Sequence, residues 1–184
     1  YAADALPAVS GNVTYTAKFD AVAIVKEAAA TLSQLSVSYA AEIQLQMRFT
    51  ISDELRNDAN AYVEYVLDGK TETIPMAEVV ASVYGGYPTV VVGIPSALMS
   101  DEVAVTMYNG EGEAVLLKDY MDAEFLDTTV TRSVADYARL AMEKGSAAQK
   151  QIVAAMLIYG GYVHYARFGE MGVEIRALSH WILL

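Results

Sequence analysis

Residues 35–51 read LSVSYAAEIQLQMRFTI, and every odd position in that run is apolar: Leu35, Val37, Tyr39, Ala41, Ile43, Leu45, Met47, Phe49 and Ile51. The even positions carry Ser36, Ser38, Ala40, Glu42, Gln44, Gln46, Arg48 and Thr50. Side chains on a strand alternate faces with a period of two, so the run has one apolar face and one wet face. At helical spacing the same residues would be scattered round a cylinder. As one strand the run would span roughly 56 Å at about 3.3 Å per residue, longer than most strands. A bend or bulge is therefore expected near residues 39–42, and the sheet built on this strand is expected to be the main support of the fold.

Downstream, the same alternation continues in shorter pieces. AYVEYVL (61–67) reads as a strand, Asp68-Gly69 as the tight turn of a hairpin, and residues 70–74 as its returning strand. Pro75 opens a short helical segment, and the polar stretch 52–60 allows one helical turn capped by Ser52. GGYP is expected to be a loop, TVVVGI (89–94) a buried strand, and EVAVTMY (102–108) an alternating strand. Asn109-Gly110 predicts a second hairpin turn with AVLLKDY (114–120) returning.

The pattern changes near residue 129. Ser133 with Asp136 three residues later forms a helix start of the capping-box type, and Gly145 ends that helix. Residues 147–167 predict a second helix with Ile152, Met156, Tyr159 and Val163 on one stripe. Gly160-Gly161 inside it costs roughly 1 kcal/mol per residue against Ala, so it implies a close contact or a kink. The two helices are expected to form an antiparallel hairpin.

Upstream, residues 1–10 read as an arm. Val13, Tyr15, Ala17 and Phe19 alternate with polar residues and predict a strand. The alanine-rich stretch 21–33 favours a helix behind Asp20, with an extension of the strand as the alternative. The tail alternates Val173, Ile175, Ala177, Trp181 and Leu183, and its apolar WILL must be covered by something. The expected class is mostly β with α: an antiparallel β-sandwich-like domain over 35–128, a helical hairpin over 129–168, an N-terminal extension over 1–34, and a strand-like tail over 169–184.

Composition narrows the function classes. The chain has 184 residues, 54% of them apolar, and a formal charge of −11. The apolar share supplies a sizeable core, whereas the charge disfavours nucleic acid and anionic membrane surfaces. No apolar run reaches the length of a membrane span, and the absence of cysteine removes disulfides and thiolate metal sites. The start at YAADALP, without an initiator Met, suggests a processed or excised module.

In order, AAEIQLQMRFTIS, YVEYVLDGKTETIPM, SALMSDEVAVTMYNGEGEAV, SVADYARLAM and QKQIVAAMLIYGGYVHYARF resemble an accessory module of large secreted and cell-wall proteins of gut Firmicutes. The resemblance covers residues 35–168. In that family a β-sandwich-like unit precedes a helical hairpin, and the last motif reads Leu-Asn-Tyr-Gly followed by small residues and a Gln. Here Leu157-Ile158-Tyr159-Gly160 is followed by Gly161 and Tyr162, a departure that bears on how the second helix packs. The resemblance implies an extracellular or cell-surface location and no catalytic residues. It also implies a place beside glycan-active or anchoring domains.

Candidate chemistry is sparse. His164 and His180 stand in no zinc-ligand spacing, and each reads as a satisfied or exposed side chain. Asp53, Glu54 and Asp58 lack the frame of a calcium loop, and Asp119, Asp122, Glu124 and Asp127 read as a solvated face. No pair of carboxylates is nominated for glycoside hydrolysis and no GxSxG is present. The expectation is a protein without catalytic activity, cofactor or metal.

Two roles remain. In the first the chain is a surface structural protein that binds itself, or neighbouring modules, through terminal strands carrying Val13, Tyr15, Phe19, Val173, Ile175, Trp181 and Leu183. An open sheet edge accepts such a strand, and a head-to-tail contact propagates as a filament. Pairing of these segments within their own chain is the alternative. In the second role the chain is a carbohydrate-binding or adhesion module, with Tyr84 and Tyr87 on their Gly-Pro loop stacking on a sugar. Tyr159, Tyr162 and Tyr165 read as core and helix contact.

Overall fold

The computed structural model describes residues 27–39 and 42–169. The fold is mixed α+β and mostly β, with ten strands in two sheets and four α-helices among the described residues. The expected strand at residues 13–19 and the tail beyond Gly169 lie outside them, as do Val13, Tyr15, Phe19, Val173, Ile175, Trp181 and Leu183.

The run at 35–51 is two strands, not one bent strand. β1 (Ala30–Tyr39) and β2 (Ile43–Ile51) pair antiparallel, with Tyr39 opposite Ile43, Val37 opposite Leu45 and Leu35 opposite Met47. Residues directly opposite in a ladder share a face, so the fold-back keeps Leu35, Val37, Ile43, Leu45, Met47, Phe49 and Ile51 on the core side, while Tyr39 at the strand end is partly exposed. A register shift between Leu32 and Gln34 moves the inward phase of β1 to even positions, and Ala30 and Leu32 are buried there. The helix expected over 21–33 is thereby overturned where it is described: residues 30–33 belong to β1, the alternative reading. Leu32 and Ala30 pack opposite Phe49 and Ile51, and that burial outweighs alanine's helical preference.

After β2, Ser52 caps α1 (Asp53–Asn57) by accepting from the Leu55 N–H. β3 (Tyr62–Leu67) and β4 (Lys70–Pro75) form the expected hairpin, with positive φ at both Asp68 (51°) and Gly69 (70°). Pro75 closes β4 and stands as N-cap of α2 (Met76–Ala81). GGYP is a second tight hairpin rather than an open loop. It joins β5 (Val83–Tyr84) to β6 (Tyr87–Ile94), with Tyr84 opposite Tyr87 and positive φ at Gly85 and Gly86.

A 3-10 turn (Ser96–Leu98) leads to β7 (Val103–Tyr108). The hairpin expected at Asn109-Gly110 is overturned beyond its first pair. Ala114 bridges Tyr108, but the chain then crosses to the other sheet, where β8 (Leu117–Asp119) runs parallel to β1. Leu117 opposite Ala30 is fully buried, and this burial favours the crossing over a continued hairpin. β9 (Asp122–Asp127) and β10 (Thr129–Arg132) follow, neither of them anticipated, so residue 129 begins a strand and not the helical part.

The sheet orders are β5-β6-β2-β1-β8-β9 and β10-β7-β3-β4. α3 (Val134–Lys144) starts at the Ser133/Asp136 capping box and ends at Gly145; α4 (Ala147–Phe168) starts at a second capping box of Ser146 and Gln149. One apolar cluster joins both sheets, through residues such as Met47, Phe49, Val92, Val63, Val105 and Met107, to Ala138, Val153 and Leu157 of the two helices.

Candidate functional site

The buried stripe of α4 is Val153, Met156, Leu157, Gly160 and Gly161. Of the stripe expected from the sequence, Met156 is buried and Val163 half-buried, whereas Ile152 and Tyr159 are exposed. Gly160 sets the rotation of the helix. A Cβ at position 160 would overlap the Met99 side chain and come within 3.1 Å of the Ser96 carbonyl oxygen, so only glycine lets α4 lie this close to the 3-10 turn. His164 is held there too, its Nδ1 2.7 Å from the Ala97 carbonyl oxygen. Tyr159, Tyr162 and Tyr165, expected in the core, are 60%, 68% and 57% exposed. With Ile152, Ile158 and Phe168 they leave α4 apolar on its outer side as well.

Between α4 and the Tyr39/Ile43 end of β1 and β2 lies a groove of about 480 Å³, lined by Tyr39, Glu42, Ile43, Ser96, Ile152, Met156 and Tyr159. The Tyr39 hydroxyl donates to the Met156 sulfur at 3.3 Å across it. Burial, and beside it Tyr137, push the Tyr39 phenol up to about 12.

Beside the groove, β6 presents an unfinished edge. β2 pairs with it from Thr89 to Ile94, whereas β5 reaches only Tyr87 and Pro88 on the other side. The Thr89 N–H donates to the Ser82 carbonyl on that outer side. Backbone groups alternate along a strand, so Val91 and Gly93 direct theirs outward too. No strand pairs with them among the described residues.

The outer face of the same sheet is polar. Ser36 donates to Gln46, Ser38 to Gln44, and Arg48 to Gln34 (3.1 Å) and Gln46 (3.3 Å). Tyr87 has the same parity on β6 as Thr89, which stands opposite Arg48, and Tyr84 stands opposite Tyr87. Both tyrosines thus belong to the Arg48 face. Tyr84 is exposed and Tyr87 half-buried. Arg48 reaches the turn between them: a Cβ at Gly85 would lie 2.8 Å from its Nη1. Sequence reading singled out the tyrosines and missed Arg48, because the pairing of β2 with β6 brings them together.

Two of the carboxylates, Asp58 and Asp119, are occupied structurally. Asp58 accepts from the Gly110 and Asn60 N–H groups and so pins the 109–112 turn to the end of α1. Asp119, expected on a solvated face, is buried; its carboxylate accepts from Arg132 and from the Met121 N–H. A buried carboxylate needs such partners. Among the described residues no cluster of three or more His, Asp or Glu is placed to hold a metal ion, and no helix is long and apolar enough to cross a membrane. No protein-family model, curated protein or solved structure matches the chain.

Proposed function

We propose that the chain is a non-catalytic structural protein of a bacterial cell surface whose copies join head to tail, an apolar terminal strand of one copy adding to β6 of the next. In this reading the two sheets form a β-sandwich and α3 and α4 an antiparallel helical hairpin beside it. The residues that engage the neighbour are Val13, Tyr15 and Phe19, or Val173, Ile175, Trp181 and Leu183.

The observation that carries the reading is the outer edge of β6, where Val91 and Gly93 turn outward backbone groups that no strand among the described residues pairs. Such an edge is a template for one more strand. The apolar groove at the end of β1 and β2 adds a seat for alternate side chains of a strand that arrives there. A head-to-tail contact of this kind does not close on itself and propagates.

The test compares the whole chain, a version ending at Phe168, and the variant Val91→Pro, by light scattering and negative-stain microscopy. Proline at 91 removes an outward N–H and leaves the bonds to β2 in place. Expected are filaments or long oligomers of the whole chain, and folded monomers of Val91→Pro. Loss of assembly on truncation assigns the tail as donor, and its survival assigns residues 13–19. Monomers of the whole chain, or filaments of Val91→Pro, overturn the reading.

A further inference from the structure

We propose that the outer face of the six-stranded sheet, at the Gly85-Gly86 turn, binds a neutral sugar chain: Tyr84 and Tyr87 stack on its rings, and Arg48 and Gln34 hydrogen-bond its hydroxyls. This site is separate from the β6 edge and does not depend on assembly.

The arrangement is built rather than incidental. The tight turn fixes Tyr84 directly opposite Tyr87, which sets their Cβ atoms about 5 Å apart on one face. Tyrosine presents an apolar ring with a polar tip, which suits a pyranose, whose C–H face is apolar and whose rim carries hydroxyls. Arg48 comes up against Gly85, and a side chain at 85 would displace it. Its bonds to Gln34 and Gln46 use one N–H each of Nη1 and Nη2 and leave a second N–H on each for a ligand, whereas Nε is shielded from solvent and takes no part. Gln46 is buried and positions the guanidinium; Gln34 is exposed and offers its own amide. Planar groups with paired donors and acceptors fit vicinal hydroxyls.

The ligand is neutral because the chain is not. A formal charge of −11 repels polyanions, and Arg48 and Lys118 on this face do not reverse that field. The groove at α4 lacks such a set of donors, its lining being mostly apolar with Glu42 at its side.

The experiment titrates the whole chain with cellohexaose, xylohexaose, mannohexaose and maltohexaose by calorimetry, with a polygalacturonate oligomer as the charged comparison. Binding of at least one neutral hexaose is expected, weakened about tenfold or more in Tyr84→Ala and in Arg48→Gln. Tyr162→Ala removes a more exposed tyrosine on α4 and is expected to leave binding unchanged. Circular dichroism of each variant separates lost binding from lost fold; Tyr84, at an exposed turn, is expected to leave the spectrum as it is. No binding to any neutral hexaose, binding that survives Tyr84→Ala, or binding of polygalacturonate alone overturns the proposal.

Discussion

The buried carboxylate of Asp119 on β8 accepts a hydrogen bond from the Arg132 guanidinium on β10, and so ties the six-stranded sheet to the four-stranded one. The pair is thirteen residues apart in sequence. The Asp119 side chain is fully shielded from solvent, and that of Arg132 is 19% exposed.

Breaking this pair leaves a charge stranded in the interior. Arg132→Met is expected to lower stability by about 3–5 kcal/mol, measured by urea denaturation. The double variant Asp119→Leu with Arg132→Met is expected to recover most of that loss, because no charge is then buried. A double variant as unstable as Arg132→Met would refute the account.

Gly160→Ala drives a methyl group into Met99. Overpacking of this kind costs about 1–3 kcal/mol, while an exposed helical Gly→Ala change stabilises by up to about 1 kcal/mol. Thermal unfolding is expected to show a net loss, relieved when Met99→Ala is added.

Ser133→Ala removes the side chain that accepts from the Asp136 N–H and the anchor of its carboxylate. The expected cost is about 1 kcal/mol. The cap joins β10 to α3, so the loss should appear in global unfolding and not only as fraying of the helix.

Tyr39 ionises late, at about 12, because burial disfavours the phenolate. Its folded value lies above the ordinary 10.0 of the unfolded chain. The stabilisation is thus fully present below pH 10 and is lost as pH rises through about 12. Ultraviolet titration at 295 nm is expected to show a late-ionising tyrosine that is absent from Tyr39→Phe, and the variant should lose less stability than the parent across that interval.

Much of the chain was legible because its signals are local. The Asp68-Gly69 turn, the Ser52 and Ser133 caps, the stop at Gly145 and the alternating strands 62–67 and 103–108 each depend on the dihedral freedom or hydrogen bonding of a few adjacent residues. The close contact implied by Gly160-Gly161 exists as well, though its partner, Met99, lies some sixty positions earlier. At the candidate site the two tyrosines were legible as a composition, while Arg48 and the β6 edge were not.

The limits have one cause. Alternation with a period of two shows which residues share a face, and it reads the same whether a strand runs straight on or folds back with matching parity. Tyr39 and Ile43, Val37 and Leu45, Leu35 and Met47 are all odd-numbered partners, so the run at 35–51 could not betray its own reversal. By itself the sequence determined strand faces, turns and caps, which arise from the covalent chain and its nearest neighbours. Only the tertiary structure decided that β8 joins β1, that α4 buries the side bearing its glycines, and that Arg48 stands beside Tyr84 and Tyr87. Those choices rest on burial and pairing between segments far apart in the chain, where free energy is set by the surface removed from water and not by local preference.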